Sequence, residues 1–248
     1  MGSKAEGCVE PGDKRTLILM KIPSRPILGA ILLSAVFVAA TTWPPATQEP
    51  PPAVVQPVAA DFQQDVWRLD RSEPITYFIA EGLAESGFKE GDRTLAEWAL
   101  EAWGRQADPP VQMVPGPEAS AIIRIYWVPA GTGLYGEMRA RLVDGRPAAD
   151  VFVHPDTDGL GLDIAQRARL DPLFRDTVVY LTCVHELGHA FGLPHTSAFA
   201  DIMYSFQYGG DFVAYFMRFR EQLEVWDDIE RASPFSTADG GTFRVLYP

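Results

Sequence analysis

Three histidines and one glutamate fall within one short stretch, His185-Glu186-Leu187-Gly188-His189-Ala190-Phe191-Gly192-Leu193-Pro194-His195, in the pattern HExxHxxGxxH. Histidines four apart on a helix share a face about one turn apart, so both imidazoles can reach one metal ion. Glu186 points roughly 100° round the helix, where its carboxylate reaches a water beside the metal without becoming a ligand. Gly192 tolerates the left-handed turn that ends helices, and Pro194 cannot continue one. The reversed chain then returns His195 as a third ligand. Three protein nitrogens leave one position open on tetrahedral zinc, the arrangement of a catalytic rather than a structural site. The competing reading is of ordinary buried histidines. The whole chain has only four histidines, and three of them stand at motif positions, which favours the metal.

The stretch resembles the metzincin signature, in which a turn built on methionine follows the third histidine. Asp201-Ile202-Met203-Tyr204 supplies such a turn, and its spacing and Ile-Met-Tyr lettering resemble the matrixins, the matrix metalloproteinase family, more than the astacins or serralysins. The resemblance covers about Asp65 to Pro248. It implies a zincin-like α+β fold, with a mixed twisted sheet, a crossover helix, an active-site helix and C-terminal helices. It also implies zinc on His185, His189 and His195, Glu186 as general base, and Met203 as an apolar floor that is not itself a ligand. Matrixins usually carry proline after that tyrosine; Ser205 stands there here, which implies a different wall to the specificity pocket.

The elements that must position these residues can be read outward from the motif. The active-site helix is expected over Val178 to Leu193, capped near Asp176 or Thr177. Ile75 to Ala80 is rich in β-branched and aromatic residues and reads as a first strand. Asp92 can cap a helix running to about Gln106, with Leu95, Trp98, Ala99, Ala102 and Trp103 at helical spacing. Val111 to Val114 and Ala121 to Val128 read as further strands, so strand–helix–strand order suggests a mainly parallel sheet. Gly136 to Val143, Asp144-Gly145 and Ala149 to His154 read as a hairpin. In the metzincin arrangement its first strand is the antiparallel sheet edge, on which an extended peptide can pair. Arg139 and Arg141 alternate on that strand, either to favour acidic substrates or as ordinary edge protection. Asp211 to Ala232 reads as one amphipathic helix, with Phe212, Tyr215, Phe216, Phe219, Leu223 and Trp226 on one side. Ser236 to Asp239 looks like the cap of a last segment, weakened by Gly240-Gly241.

His154-Pro155-Asp156-Thr157-Asp158-Gly159 is the other candidate metal stretch. The matrixin second zinc site needs more histidines than His154 alone. Calcium through Asp156, Asp158 or Asp163 is one reading, and a solvated acidic turn the other.

The chain's length of 248 residues accommodates one domain of ordinary size with additions. A net charge of −12 argues against nucleic acid as a partner. Ile27 to Ala40 is an apolar run after Lys21 and Arg25, with small residues at 38–40, so residues 1–40 read as a signal peptide or, if uncleaved, a membrane anchor. Residues 41–60 are Pro-rich and read as a linker. Residues 61–248 form the metallopeptidase-like domain, with an inserted helix at about 206–235. Of two cysteines, Cys8 would be lost on cleavage, leaving Cys183 as a buried packing residue without a disulfide partner. No PRCGxPD-like stretch is present, so the cysteine blockade of matrixin propeptides is not expected.

The expected function is a secreted, extracellular zinc endopeptidase acting on protein or peptide substrates. One rival is a catalytically weak zinc-site module that binds peptides or a partner, against which Glu186 argues. Another treats 211–232 as a docking surface.

Overall fold

The computed structural model describes residues 67–129 and 135–248. The signal-like segment, the Pro-rich linker and residues 61–66 lie outside them. The fold is mixed α+β, with a five-stranded sheet and six helices among the described residues. The strands are β1 (Ile75–Ile79), β2 (Met113–Pro115), β3 (Ile123–Trp127), β4 (Gly136–Val143) and β5 (Arg146–Val153), in spatial order β2-β1-β3-β5-β4. All neighbours run parallel except β4, which lies antiparallel to β5 at the sheet edge. The hairpin closes on Asp144 and Gly145 at φ 51° and 77°. Positive φ at both central residues matches the twist of the flanking strands and explains the Asp-Gly pair. The second strand therefore starts at Arg146, ahead of the expected Ala149, with Val143 opposite Arg146.

Helix α1 (Glu90–Gly104) links β1 to β2 as the expected crossover. Asp92 is not its cap. It stands in the first turn and reaches back to the Lys89 amide at 2.8 Å, satisfying a donor that the helix leaves free. Trp103 is fully buried and donates its indole N–H to Val184 O at 2.8 Å, and Trp98 packs beside Trp226.

Helix α2 (Leu162–Leu170) was not expected from the sequence, and α3 (Pro172–Ala190) begins well before Val178. Asp171 is the cap of α3, accepting from the Phe174 amide at 3.2 Å, with Pro172 in the first turn. Proline is favoured there because its missing N–H would be unpaired anyway. The α3 side chains Val178, Val179, Cys183, Val184 and Leu187 are buried in one core with Ile123, Ile125, Val151 and Val153 of the sheet.

The expected single helix over 211–232 is broken. Helix α4 (Phe212–Arg220) and α5 (Asp228–Arg231) are separated by a turn. The Asp228 carboxylate accepts the amides of Glu224 and Val225 at 2.8 and 2.9 Å, a local bond that competes with helix continuation. Its apolar side is nonetheless interior: Tyr215, Phe216, Phe219 and Leu223 are buried. An internal core thus accounts for Tyr215, Phe216 and Phe219, while Phe212 at the head of α4 is exposed. Helix α6 (Thr237–Leu246) is capped by Ser236 and Asp239 in a reciprocal box and tolerates Gly240 and Gly241. No helix among the described residues is long and apolar enough to cross a membrane.

Candidate metal centre

His185 and His189 project from the last two turns of α3, which stops at Ala190. Gly192 has φ 96°, and its amide bonds to His189 O while the Leu193 amide bonds to Gly188 O, both at 2.9 Å. That left-handed residue reverses the chain. A Cβ at 192 would also stand 2.0 Å from Trp67 O, so glycine is required twice over. The same N-terminal stretch is tied to the helix end elsewhere: Trp67 donates to Ala190 O, and Tyr247 bridges the Leu69 amide and Phe191 O.

After the reversal, His195 faces the other two histidines. Its Nε2 lies 3.2 Å from His185 Nε2 and 3.1 Å from His189 Nε2. Nitrogens on a tetrahedral zinc at the usual bond length are roughly 3.3 Å apart, so the three fit one ion. The remaining ring nitrogens of two of them are held from behind, His185 Nδ1 by Ile202 O at 2.7 Å and His189 Nδ1 by Leu193 O at 2.9 Å. A carbonyl can only accept, so Nδ1 carries the proton and Nε2 is left free for a metal. Burial, then the neighbouring His189, pushes His185 down to about 3, and burial lowers His189 and His195 as well. Neutral imidazoles are the form a metal takes.

Met203 is buried and its sulfur lies against Gly188, between the two helical histidines; a Cβ on Gly188 would stand 2.3 Å from it. The turn carrying Met203 is fixed from two sides. Thr196 N bonds to Met203 O at 2.8 Å and Ser205 N to Thr196 O at 3.0 Å. From α6, the buried Asp239 carboxylate accepts the Ile202 amide at 2.9 Å and the Met203 amide at 3.5 Å.

Glu186 is only 7% exposed and packs against the start of β4, where a Cβ on Gly136 would stand 2.7 Å from its Cγ. Burial, and secondarily the Glu137 carboxylate, pushes it up to about 8. Glu186 and the three histidines line one cavity of about 530 Å³, within the range of ligand pockets. Its other walls are largely aromatic: Tyr135, Phe206, Phe212, Tyr215 and Phe216, with Leu181. Tyr204 also lines it. The aromatic walls were not foreseen; their only signal in the sequence is the density of aromatics between 204 and 219.

The acidic stretch is arranged differently. The Asp156 carboxylate accepts the Asp158 amide at 2.9 Å, Asp158 pairs with Arg169 at 2.9 Å, and Asp163 stands in the first turn of α2. Among the described residues, these three do not form a converging ligand group, whereas the histidines do, within 4.8 Å of one another. His154 Nδ1 is bonded to Pro129 O. Arg139 pairs with Glu137 and lies over the Phe152 ring, and Arg141 shares the Asp150 carboxylate with Arg124, so both side chains are engaged within the protein.

No protein-family model matches the chain, and no curated protein matches it either. The mixed α+β fold and the three histidines, close enough to hold a metal ion, stand on the chain's own geometry.

Proposed function

We propose that the chain is an exported zinc-dependent endopeptidase of the metzincin type, matrixin-like in pattern, that hydrolyses protein or peptide substrates. One observation carries the reading: three histidine Nε2 atoms converge in a cavity that also receives a buried glutamate which is not one of the ligands. An all-nitrogen set of three favours zinc and leaves a position for chemistry. Bound there, zinc supplies Lewis acidity toward a water and the scissile carbonyl. Glu186 accepts a proton from that water and delivers it to the leaving nitrogen. Burial pushes its carboxyl up, and a cation at the neighbouring histidines would counter that rise and favour the carboxylate that accepts the proton. Ile202 O and Leu193 O keep two imidazoles in the tautomer that leaves Nε2 free. Edge strand β4 offers its outer main-chain groups to an extended substrate beside Glu186. The apolar run at 27–40 after basic residues supports export.

The rival reading, a zinc-site module that only binds peptides, gives Glu186 nothing to do. Zinc-loaded full-length protein should cleave casein, and Glu186→Ala should keep the metal while losing roughly 10³-fold or more in activity. Casein left intact by the parent, or cut at the parent's rate by the variant, would overturn the proposal. A proteome-wide cleavage-site profile then identifies the preferred sequence.

A further inference from the structure

Helix α4, which also walls the cavity, touches the group behind His185 through the Ile202 carbonyl. Ile202 O accepts His185 Nδ1 at 2.7 Å and, from the other side, the hydroxyl of Tyr215 at 3.0 Å. The same hydroxyl lies 3.2 Å from Asp201 O. Tyr215 is 3% exposed. Arg218, one turn further along α4, secures the arrangement. Its guanidinium stacks over the Tyr215 ring at 4.2 Å, bonds to Tyr215 O at 3.0 Å, and also bonds to Ala200 O. A cation over the ring face draws on the ring's electrons and strengthens the phenol O–H as a donor. The amide of the same Ile202 is held by Asp239, so both ends of the residue are fixed and the carbonyl direction is set.

We propose that Tyr215 is a positioning residue for the metal: its hydroxyl aims the Ile202 carbonyl that orients His185. A carbonyl oxygen has two lone-pair directions, and here one serves the imidazole and the other the phenol. Without the phenol the carbonyl is free to tilt, and the imidazole that follows it loses its fixed direction toward the shared point. Groups that orient metal ligands from behind typically change metal affinity by about 10–100-fold when removed. The inference rests on the metal-site reading above and adds that α4 is part of what builds the site.

The test compares Tyr215→Phe with Phe219→Leu in the full chain. Phe219 is buried on the same helix and stacks on Tyr180 at 5.4 Å, away from the Ile202 carbonyl, so its loss weakens packing alone. Zinc affinity is measured by competition with a chromophoric chelator, and site geometry by the visible absorption of the cobalt(II)-substituted protein. Tyr215→Phe should bind zinc about tenfold more weakly and shift the cobalt bands, while Phe219→Leu loses thermal stability and keeps both readouts. Should Tyr215→Phe fail to fold, Arg218→Gln loosens the same clamp and should weaken zinc in the same direction. Parent-like affinity and spectrum in Tyr215→Phe, or in Arg218→Gln when it stands in, overturn the inference, as does equal weakening by Phe219→Leu. A parent chain that takes up no metal overturns the metal-site reading itself.

Discussion

Arg175 and Asp92 form an ion pair inside the protein, tying the first turn of α1 to the first turn of α3. The two side chains are almost wholly enclosed, and the Nη2–Oδ2 contact is 2.8 Å. Arg175 also donates to Pro155 O at 3.1 Å, so the loop after β5 joins the same knot. Because α3 carries two of the candidate ligands, this pair fixes the helix far from the metal.

Breaking the pair should be costly. Removing Arg175 leaves the Asp92 carboxylate buried without its counter-charge, a loss of about 3–5 kcal/mol, whereas removing Asp92 leaves Arg175 with Asp176 at 3.2 Å and should cost less. Arg175→Met should lower the urea midpoint by a corresponding amount and Asp92→Asn by less, both with slope unchanged. A shift no larger than that of a surface ion pair would mean that water reaches the site.

Zinc should stabilise the fold. A ligand held only by the folded state adds about 4 kcal/mol at a thousandfold excess over its dissociation constant. The melting temperature should therefore fall on chelation and recover with zinc. His195→Ala should make melting insensitive to zinc, since two imidazoles on one helix remain but the third side of the site is gone. A parent chain whose melting ignores chelators would contradict this.

Gly192→Ala and Gly145→Ala separate two kinds of glycine. At 145 φ is 77° and a Cβ meets nothing within 4 Å, so the cost should be about 1 kcal/mol of backbone strain. At 192 the same strain is joined by a collision with Trp67 O. Gly192→Ala should cost about 3 kcal/mol or more and weaken zinc binding, because His195 is placed by that turn. Equal stability of the two variants, by calorimetry, would contradict the packing.

Cys183 should be silent in the native protein. It is fully buried, and burial pushes its thiol well above the usual range, so the reactive thiolate is not formed at neutral or mildly alkaline pH. Labelling with a thiol reagent should proceed only as fast as the chain unfolds, and urea should accelerate it. Rapid native-state labelling at this residue would show the core to be open.

The histidine spacing, the Asp144-Gly145 turn and the Ser236–Asp239 cap could all be read from the chain because each is a local relation within a few residues. The start of α3 is harder to read: Asp171-Pro172 is a good cap, but the continuous apolar run begins only at Val178. Helix α2 escaped because its buried face is only Ile164, Ala165 and Ala168, while Leu162 and Leu170 point outward. The aromatic cavity was invisible for a different reason. Tyr135 meets Phe206, Phe212 and Phe216 only after the sheet and α4 are in place, and no periodicity encodes that meeting.

The hold of Asp239 on the Ile202 and Met203 amides has a meaning in time as well as in space. Synthesis delivers His185, His189, His195 and Met203 before the carboxylate that braces their turn. A chain interrupted ahead of Ser236 would carry every ligand and the glutamate, yet lack the clasp that keeps the methionine turn in place. The candidate centre is thus completed late, after all of its histidines have been made.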